Sequence, residues 1–223
     1  MLQRRKQRRD FEEIALPHLS SELKVNRTSL ITIVVCLISS VVPAAAQTQP
    51  SPEAIQKMLE PMQPVAEHQE LAALAGRWTQ EVTYSMGGAP MTATGTVTNK
   101  MILGGRFLVS EASSANPAGA GFGDPTVEFM TIYGFDRRTK EFTIIGLDTM
   151  GTYYVTAAGN KAEPRTIVMR GETLDDHGGA PEMRKYDMVL KFVDANTYIT
   201  EIIFHFPGRA PQTVVSVTHR RVK

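Results

Sequence analysis

Residues 126–148 read TVEFMTIYGFDRRTKEFTIIGLD. Val127, Phe129, Thr131, Tyr133 and Phe135 occupy alternate positions of the first run, and Phe142 to Leu147 form a second apolar run. Between them stands the polar stretch Asp136-Arg137-Arg138-Thr139-Lys140. Side chains of a strand alternate between its two faces, so two such runs flanking a short polar connection predict an antiparallel hairpin. The same period appears upstream in Val82/Tyr84/Met86 and downstream in Tyr198/Thr200/Ile202/Phe204, with Asp194-Ala195-Asn196 as another tight connection.

Extended to the whole chain, this reading predicts strands near 78–86, 92–99, 105–112, 126–135, 141–148, 151–157, 165–171, 183–193, 197–206 and 212–222. Short connections favour pairing of sequence neighbours. The fold class expected is all-β, an antiparallel up-and-down barrel of about ten strands over 77–223, because closure removes the exposed edges that an open sheet would leave. Short helices precede it in 47–76. Ser51-Pro52-Glu53 is a helix start with a hydroxyl cap and proline in the first turn. Ile55, Met58, Leu59 and Met62 follow at helical spacing, and His68, Leu71 and Leu74 form a second stripe that stops at Gly76. Both helices are expected to plug or brace the barrel.

The first 46 residues read as a signal-peptide region. Lys24 and Arg27 precede the 13-residue apolar run Leu30–Val42, and Pro43-Ala44-Ala45-Ala46 supplies small residues for cleavage after Ala46. A membrane-spanning helix needs about 20 apolar residues, so the run is short for an anchor. Cys36 follows Val35 rather than a small residue, which argues against lipidation. The charged stretch before Lys24 is unusual in a signal peptide and suggests that translation begins at Val25. These features predict an exported bacterial protein, periplasmic or secreted, without membrane attachment after cleavage.

Composition limits the functions available. The 223 residues carry a net charge of +1, without the basic excess of a nucleic-acid binder. Seven of the 24 basic and four of the 23 acidic residues fall in the leader, so the processed chain has a net charge of −2. The lone Cys36 precludes a disulfide framework or a cysteine-rich metal site. No serine-nucleophile elbow, zinc-protease helix or phosphate-loop motif occurs.

Three motifs together carry a family resemblance. They are His68-x-x-Leu71-x-x-Leu74-x-Gly76-x-Trp78, Ile102-Leu103-Gly104-Gly105-Arg106-Phe107-Leu108 and Tyr133-Gly134-Phe135-Asp136. From Glu67 onward the chain resembles the domain of unknown function 1579 (DUF1579) family, with Phe107 where that family often shows tryptophan and a sparser match after Asp148. The resemblance implies a lipocalin-like or calycin-like barrel, often exported, and brings no established activity or catalytic residues. Gly76-x-Trp78 is similar to the glycine-x-tryptophan of lipocalins, whose indole closes the barrel floor. Arg220 or Arg221 is placed to lie across that ring.

A small barrel encloses room for one small molecule. The partner expected is therefore a small apolar or amphipathic ligand, with no cofactor. The wall candidates are Tyr84, Arg106, Phe107, Phe129, Tyr133 and Tyr153, with Arg106 as a counter-charge for an anionic head group; a register slip of one residue would turn any of them outward. Gly104-Gly105 reads as a bend, the Ser113–Pro125 stretch equally as a plain connector or as a loop whose Phe122 covers the cavity mouth, and Asp175-Asp176-His177 as a solvated turn. Three alternatives stand beside ligand binding: an enzyme using His205, His219 or an inward carboxylate among Glu111, Glu128, Asp148 and Glu201; a haem-binding barrel; and a structural envelope protein. N-terminal sequencing of the processed protein from its host is expected to begin at Gln47, and recovery of a peptide spanning Phe11 to Leu19 from the precursor would overturn the Val25 start.

Overall fold

The computed structural model describes residues 51–85, 89–116, 125–175 and 181–223. The leader, Val25, Cys36, Met86, Phe122 and the Asp176-His177 pair lie outside the described residues.

Ten antiparallel strands form a closed barrel: β1 (Gly76–Tyr84), β2 (Met91–Ile102), β3 (Phe107–Ala115), β4 (Thr126–Asp136), β5 (Glu141–Asp148), β6 (Tyr154–Glu163), β7 (Thr166–Asp175), β8 (Glu182–Asp194), β9 (Thr197–His205) and β10 (Gln212–Arg221). Each strand pairs with its sequence neighbour, and β1 closes the ring against β10 with Trp78 opposite Arg221 and Tyr84 opposite Val215. The 126–148 hairpin forms as its pattern predicts, with Asp136 opposite Glu141 and Phe129 opposite Asp148. Gly104-Gly105 makes the β2–β3 turn itself rather than a bend within a strand. Leu103, Gly104 and Gly105 all have left-handed φ, at 49°, 65° and 82°, a run in which residues without Cβ are favoured.

The lower half of the barrel is a packed core. Leu108, Leu190, Ile167 and Met169 are fully buried, with Phe142, Val97 and Ala157 around them. Helix α2 (Ala66–Ala72) covers this end and inserts Leu71, with Leu74 just beyond it. Trp78 lies at the centre of the floor. Its indole Nε1 donates to Leu74 O at 2.9 Å, and its ring meets Tyr198 edge-on at 4.7 Å. Asn99 Nδ2 donates to the same carbonyl at 3.0 Å and to the Tyr198 hydroxyl at 3.1 Å.

Arg221, rather than Arg220, covers the indole, with its guanidinium carbon 4.0 Å from the ring centroid. Strand parity decides between them, because Arg221 stands opposite inward-facing Trp78 and Arg220 opposite Thr79. The guanidinium also donates to Ala73 O at 2.7 Å, Ala75 O at 2.8 Å and Ala195 O at 3.0 Å. Those carbonyls belong to the α2–β1 link and the β8–β9 turn, so one side chain joins three parts of the floor.

Helix α1 (Pro52–Leu59) does not plug the barrel. Ser51 Oγ caps it by accepting from Ala54 N at 3.1 Å, yet it buries no residue, and Met58 is 66% exposed. The single 3-10 turn after it, Glu60–Met62, is tied to the barrel end through its backbone: Arg137 donates to Glu60 O and Gln63 O, and Arg106 to Met62 O. Among the described residues, no helix is long and apolar enough to cross a membrane.

Arg221→Lys keeps the charge but loses the planar fork that reaches three carbonyls. It is expected to cost about 1–3 kcal/mol of stability in urea denaturation, whereas Arg138→Lys, at an exposed ion pair with Asp136, should leave the unfolding midpoint unchanged.

Candidate functional site

Above the floor the interior is hollow. A cavity of about 200 Å³ begins at the level of Gln80, Tyr198 and His219 and continues past Val82 and Val217 to Tyr84, Asp148 and Met150 near the opposite rim. Strand parity builds it. With Trp78 facing inward, Gln80, Val82 and Tyr84 must follow on β1, and their partners on β10 are His219, Val217 and Val215. The far wall comes from the 126–148 hairpin through Phe129, Thr131, Tyr133, Ile144 and Gly146.

Tyr84, Phe129 and Tyr133 therefore line the cavity. Arg106, Phe107 and Tyr153 do not. Arg106 lies in the β2–β3 turn, where its Nε and Nη2 donate to Met62 O at 3.1 and 2.8 Å; it braces the N-terminal segment and supplies no charge to the interior. Phe107 has the opposite parity from fully buried Leu108 and packs on the outer wall over Gly134, where an added Cβ would stand 2.9 Å from its ring. Tyr153 precedes β6 and is 54% exposed.

The cavity wall is mostly apolar, but one side carries polar groups. Gln80 and His219 stand directly opposite each other across β1 and β10 and are each 6% exposed. His219 Nε2 lies 3.1 Å from Thr200 Oγ1. Its Nδ1, like Gln80 Nε2, has no hydrogen-bond partner among the described residues. The imidazole stacks on Tyr198 at 4.0 Å with the rings nearly parallel. Burial pushes its pKa down to about 3, because a desolvated imidazole resists gaining charge.

Tyrosines complete the polar inventory. Burial pushes the Tyr198 and Tyr186 phenols up to about 12, and those of Tyr84 and Tyr133 also upward. Tyr186 OH donates to Thr156 O at 2.9 Å. Gly171 makes room for that contact, since a Cβ there would lie 2.7 Å from the Tyr186 oxygen. Among the described residues, Asp148 is the one of formal charge on the wall; its Oδ1 accepts from Met150 N at 2.9 Å in a rim turn.

The other titratable candidates face elsewhere. His205 points outward and pairs with Asp187 at 3.2 Å, and its strand partner is Lys185, so it is no neighbour of His219. Glu201 pairs with Lys191 at 2.7 Å. Glu111 and Glu128 are absent from the cavity lining and border an open groove with Met130 and Thr149, which shares Ala112, Phe129, Leu147 and Asp148 with the cavity. Among the described residues, no group of three His, Cys, Asp or Glu side chains is placed to hold a metal. The cavity is also smaller than the roughly 300 Å³ at which pockets begin to enclose drug-sized ligands, too small for a haem macrocycle.

Among the site residues that sequence reasoning missed, Tyr186 and Thr200 included, is Gln80. Its signal was present: once Trp78 is assigned to the floor, every second residue of β1 must face inward.

Comparison with known proteins agrees with the geometry. The family described as "Protein of unknown function (DUF1579)" matches residues 63–221. Among proteins with curated descriptions, none matches the sequence. The crystal structure of Rv2717c from M. tuberculosis superimposes with a TM-score of 0.51 at 12% identity, covering 72% of this chain and 100% of that one; at that identity the likeness extends to the fold alone.

The His219 environment has a measurable consequence. With a folded pKa of about 3 against the ordinary imidazole value of 6.5, the unfolded chain binds the extra proton between those values, so stability is full above pH 6.5 and falls as pH drops towards 3. Urea denaturation across that window should show a shallower decline for His219→Gln than for the natural protein; equal slopes would contradict a buried neutral imidazole.

Proposed function

This chain belongs to the DUF1579 family, and from its cavity we propose that it binds one small, largely apolar molecule inside the barrel. The observation that carries this reading is the division of the interior: a filled lower half and a hollow of about 200 Å³ above it, lined by Val82, Phe129, Ile144, Met188, Ile202 and other apolar groups. An apolar cavity of about 150 Å³ is enough to take up benzene. Maintaining a hollow forgoes dispersion contacts that larger side chains would make, a cost that a fold under selection for stability alone would not carry. The processed form is proposed to act outside the cytoplasm, on the strength of the Leu30–Ala46 signal pattern.

A catalytic reading has weaker support. Thr200 and His219 place a hydroxyl beside an imidazole at 3.1 Å, as nucleophile and base would be. A general base, however, works best with a pKa near the operating pH and with its second nitrogen held by an orienting group. His219, with a pKa of about 3 and an unpartnered Nδ1 among the described residues, has neither.

Ala112 lines the cavity and is the position at which added bulk fills it. Benzene titrated into the natural protein is expected to shift the NMR signals of cavity residues, and Ala112→Phe is expected to weaken binding at least tenfold while the near-ultraviolet circular dichroism of Trp78 is unchanged. Native mass spectrometry of protein from its own host should show a retained small molecule. Failure of the natural protein to take up any apolar probe would overturn the reading.

A further inference from the structure

The polar groups of the wall narrow the class of ligand, an inference that rests on the cavity-binding reading. Gln80 and His219 are cross-strand partners, so their Cβ atoms stand about 5 Å apart on the same inner face. Gln80 and His219 line the cavity, and Gln80 Nε2 and His219 Nδ1 are each buried and unpartnered among the described residues. Buried polar atoms in native proteins nearly always have partners, and those without one call for an occupant. Gly95 stands opposite Gln80 on β2 and leaves room for the amide itself, since a Cβ there would lie 2.9 Å from Nε2 and closer still to Ser113 O.

A third such atom, the Tyr84 hydroxyl oxygen, belongs to the rim end of the lining, and the two deeper atoms differ in what they need. Gln80 Nε2 can only donate. When His219 Nε2–H donates to Thr200 Oγ1, Nδ1 can only accept. Among the described residues no lysine or arginine lines the cavity, and the one carboxylate, Asp148, sits at the rim. An anion would find no counter-charge there, and a cation would face desolvation beside neutral groups.

We infer that the cavity selects a small neutral molecule bearing a hydroxyl group, whose oxygen accepts from Gln80 Nε2 and whose proton is donated to His219 Nδ1. A hydroxyl is the smallest group that satisfies both atoms at once. A ketone serves only the amide, and a hydrocarbon serves neither. The hydrocarbon part lies along Val82, Val217 and Phe129 towards the rim. A site built to hydrogen-bond a hydroxyl discriminates strongly against the analogue that lacks it, because the site's own polar atoms are then left buried and unpaired.

Cyclohexanol, cyclohexanone and cyclohexane share one ring and differ only in that group. Titrated into the full-length processed protein and followed by NMR, they are expected to bind in that order, with cyclohexanol at least tenfold tighter than cyclohexane. Gln80→Leu and His219→Phe should each reduce the preference to within about threefold while cyclohexane binding is retained. Where a variant fails to fold, the natural protein still decides the matter: the 15N resonance of His219 Nδ1 should move on adding cyclohexanol and stay in place on adding cyclohexane. Equal affinity for alcohol and hydrocarbon, with an unmoved Nδ1 resonance, would overturn the inference and leave cavity binding standing; a bridging water that already satisfies both atoms would give that result. Binding of none of the three would overturn cavity binding itself.

Discussion

The barrel depends on the contact between Trp78 and Arg221. Trp78 lies near the start of the first strand and Arg221 ends the last, so their register fixes how the ring closes. The guanidinium holds the indole on one side and three backbone carbonyls on the other. Cation–π contact and charge-assisted hydrogen bonds both strengthen where water is excluded, and a planar guanidinium makes them simultaneously. The indole in turn donates to Leu74 O, which seats the α2–β1 link. Closure, floor and helix cap are thus consequences of one cluster.

With the floor fixed, the position of the hollow follows. Ten strands enclose more cross-section than their own side chains fill, and α2 supplies the missing volume at one end only. At the other end the inward residues are of moderate size: Val82, Val215 and Val217 on the closing strands, with Ala112 and Gly146 across the way. Tyr198 marks the boundary between the two halves. One edge of its ring meets Trp78 and one face stacks on His219, so it belongs to the packed core and to the cavity at once. This arrangement places Gln80, Thr200 and His219 at the deep end of the cavity, next to the packed core.

The lower end of the chain shows a different use of arginine. Arg106 and Arg137 anchor the Glu60–Gln63 segment by grasping its carbonyls, while α1 before it presents Ile55, Met58 and Leu59 to solvent. The apolar spacing of α1 is that of a packed helix, but its residues meet no barrel surface. Amphipathic spacing reports that a helix has an apolar face, and the location of a covering surface is a separate property.

Ten strands, their order around the ring and the short helices before them were legible in the sequence, because period-two alternation and short polar turns are local properties of a chain; the floor role of Trp78 came with the resemblance of Gly76-x-Trp78 to lipocalins. The face of each strand was legible only where an anchor set the parity. Tyr84 follows from Trp78, and Tyr133 from the strict alternation of β4. Phe107-Leu108-Val109 is apolar at every position, so nothing local says that Leu108 enters the core and Phe107 packs outside. Arg106 next to two glycines reads equally as a cavity charge or as a clamp on another segment; the 3-10 turn that it grips lies more than forty residues away in sequence. The sequence alone thus determined a closed antiparallel barrel, since that depends on pattern and turn length. Only the tertiary structure decided which side chains meet across the ring, such as Gln80 with His219, because register is fixed by packing between distant strands and not within any one of them.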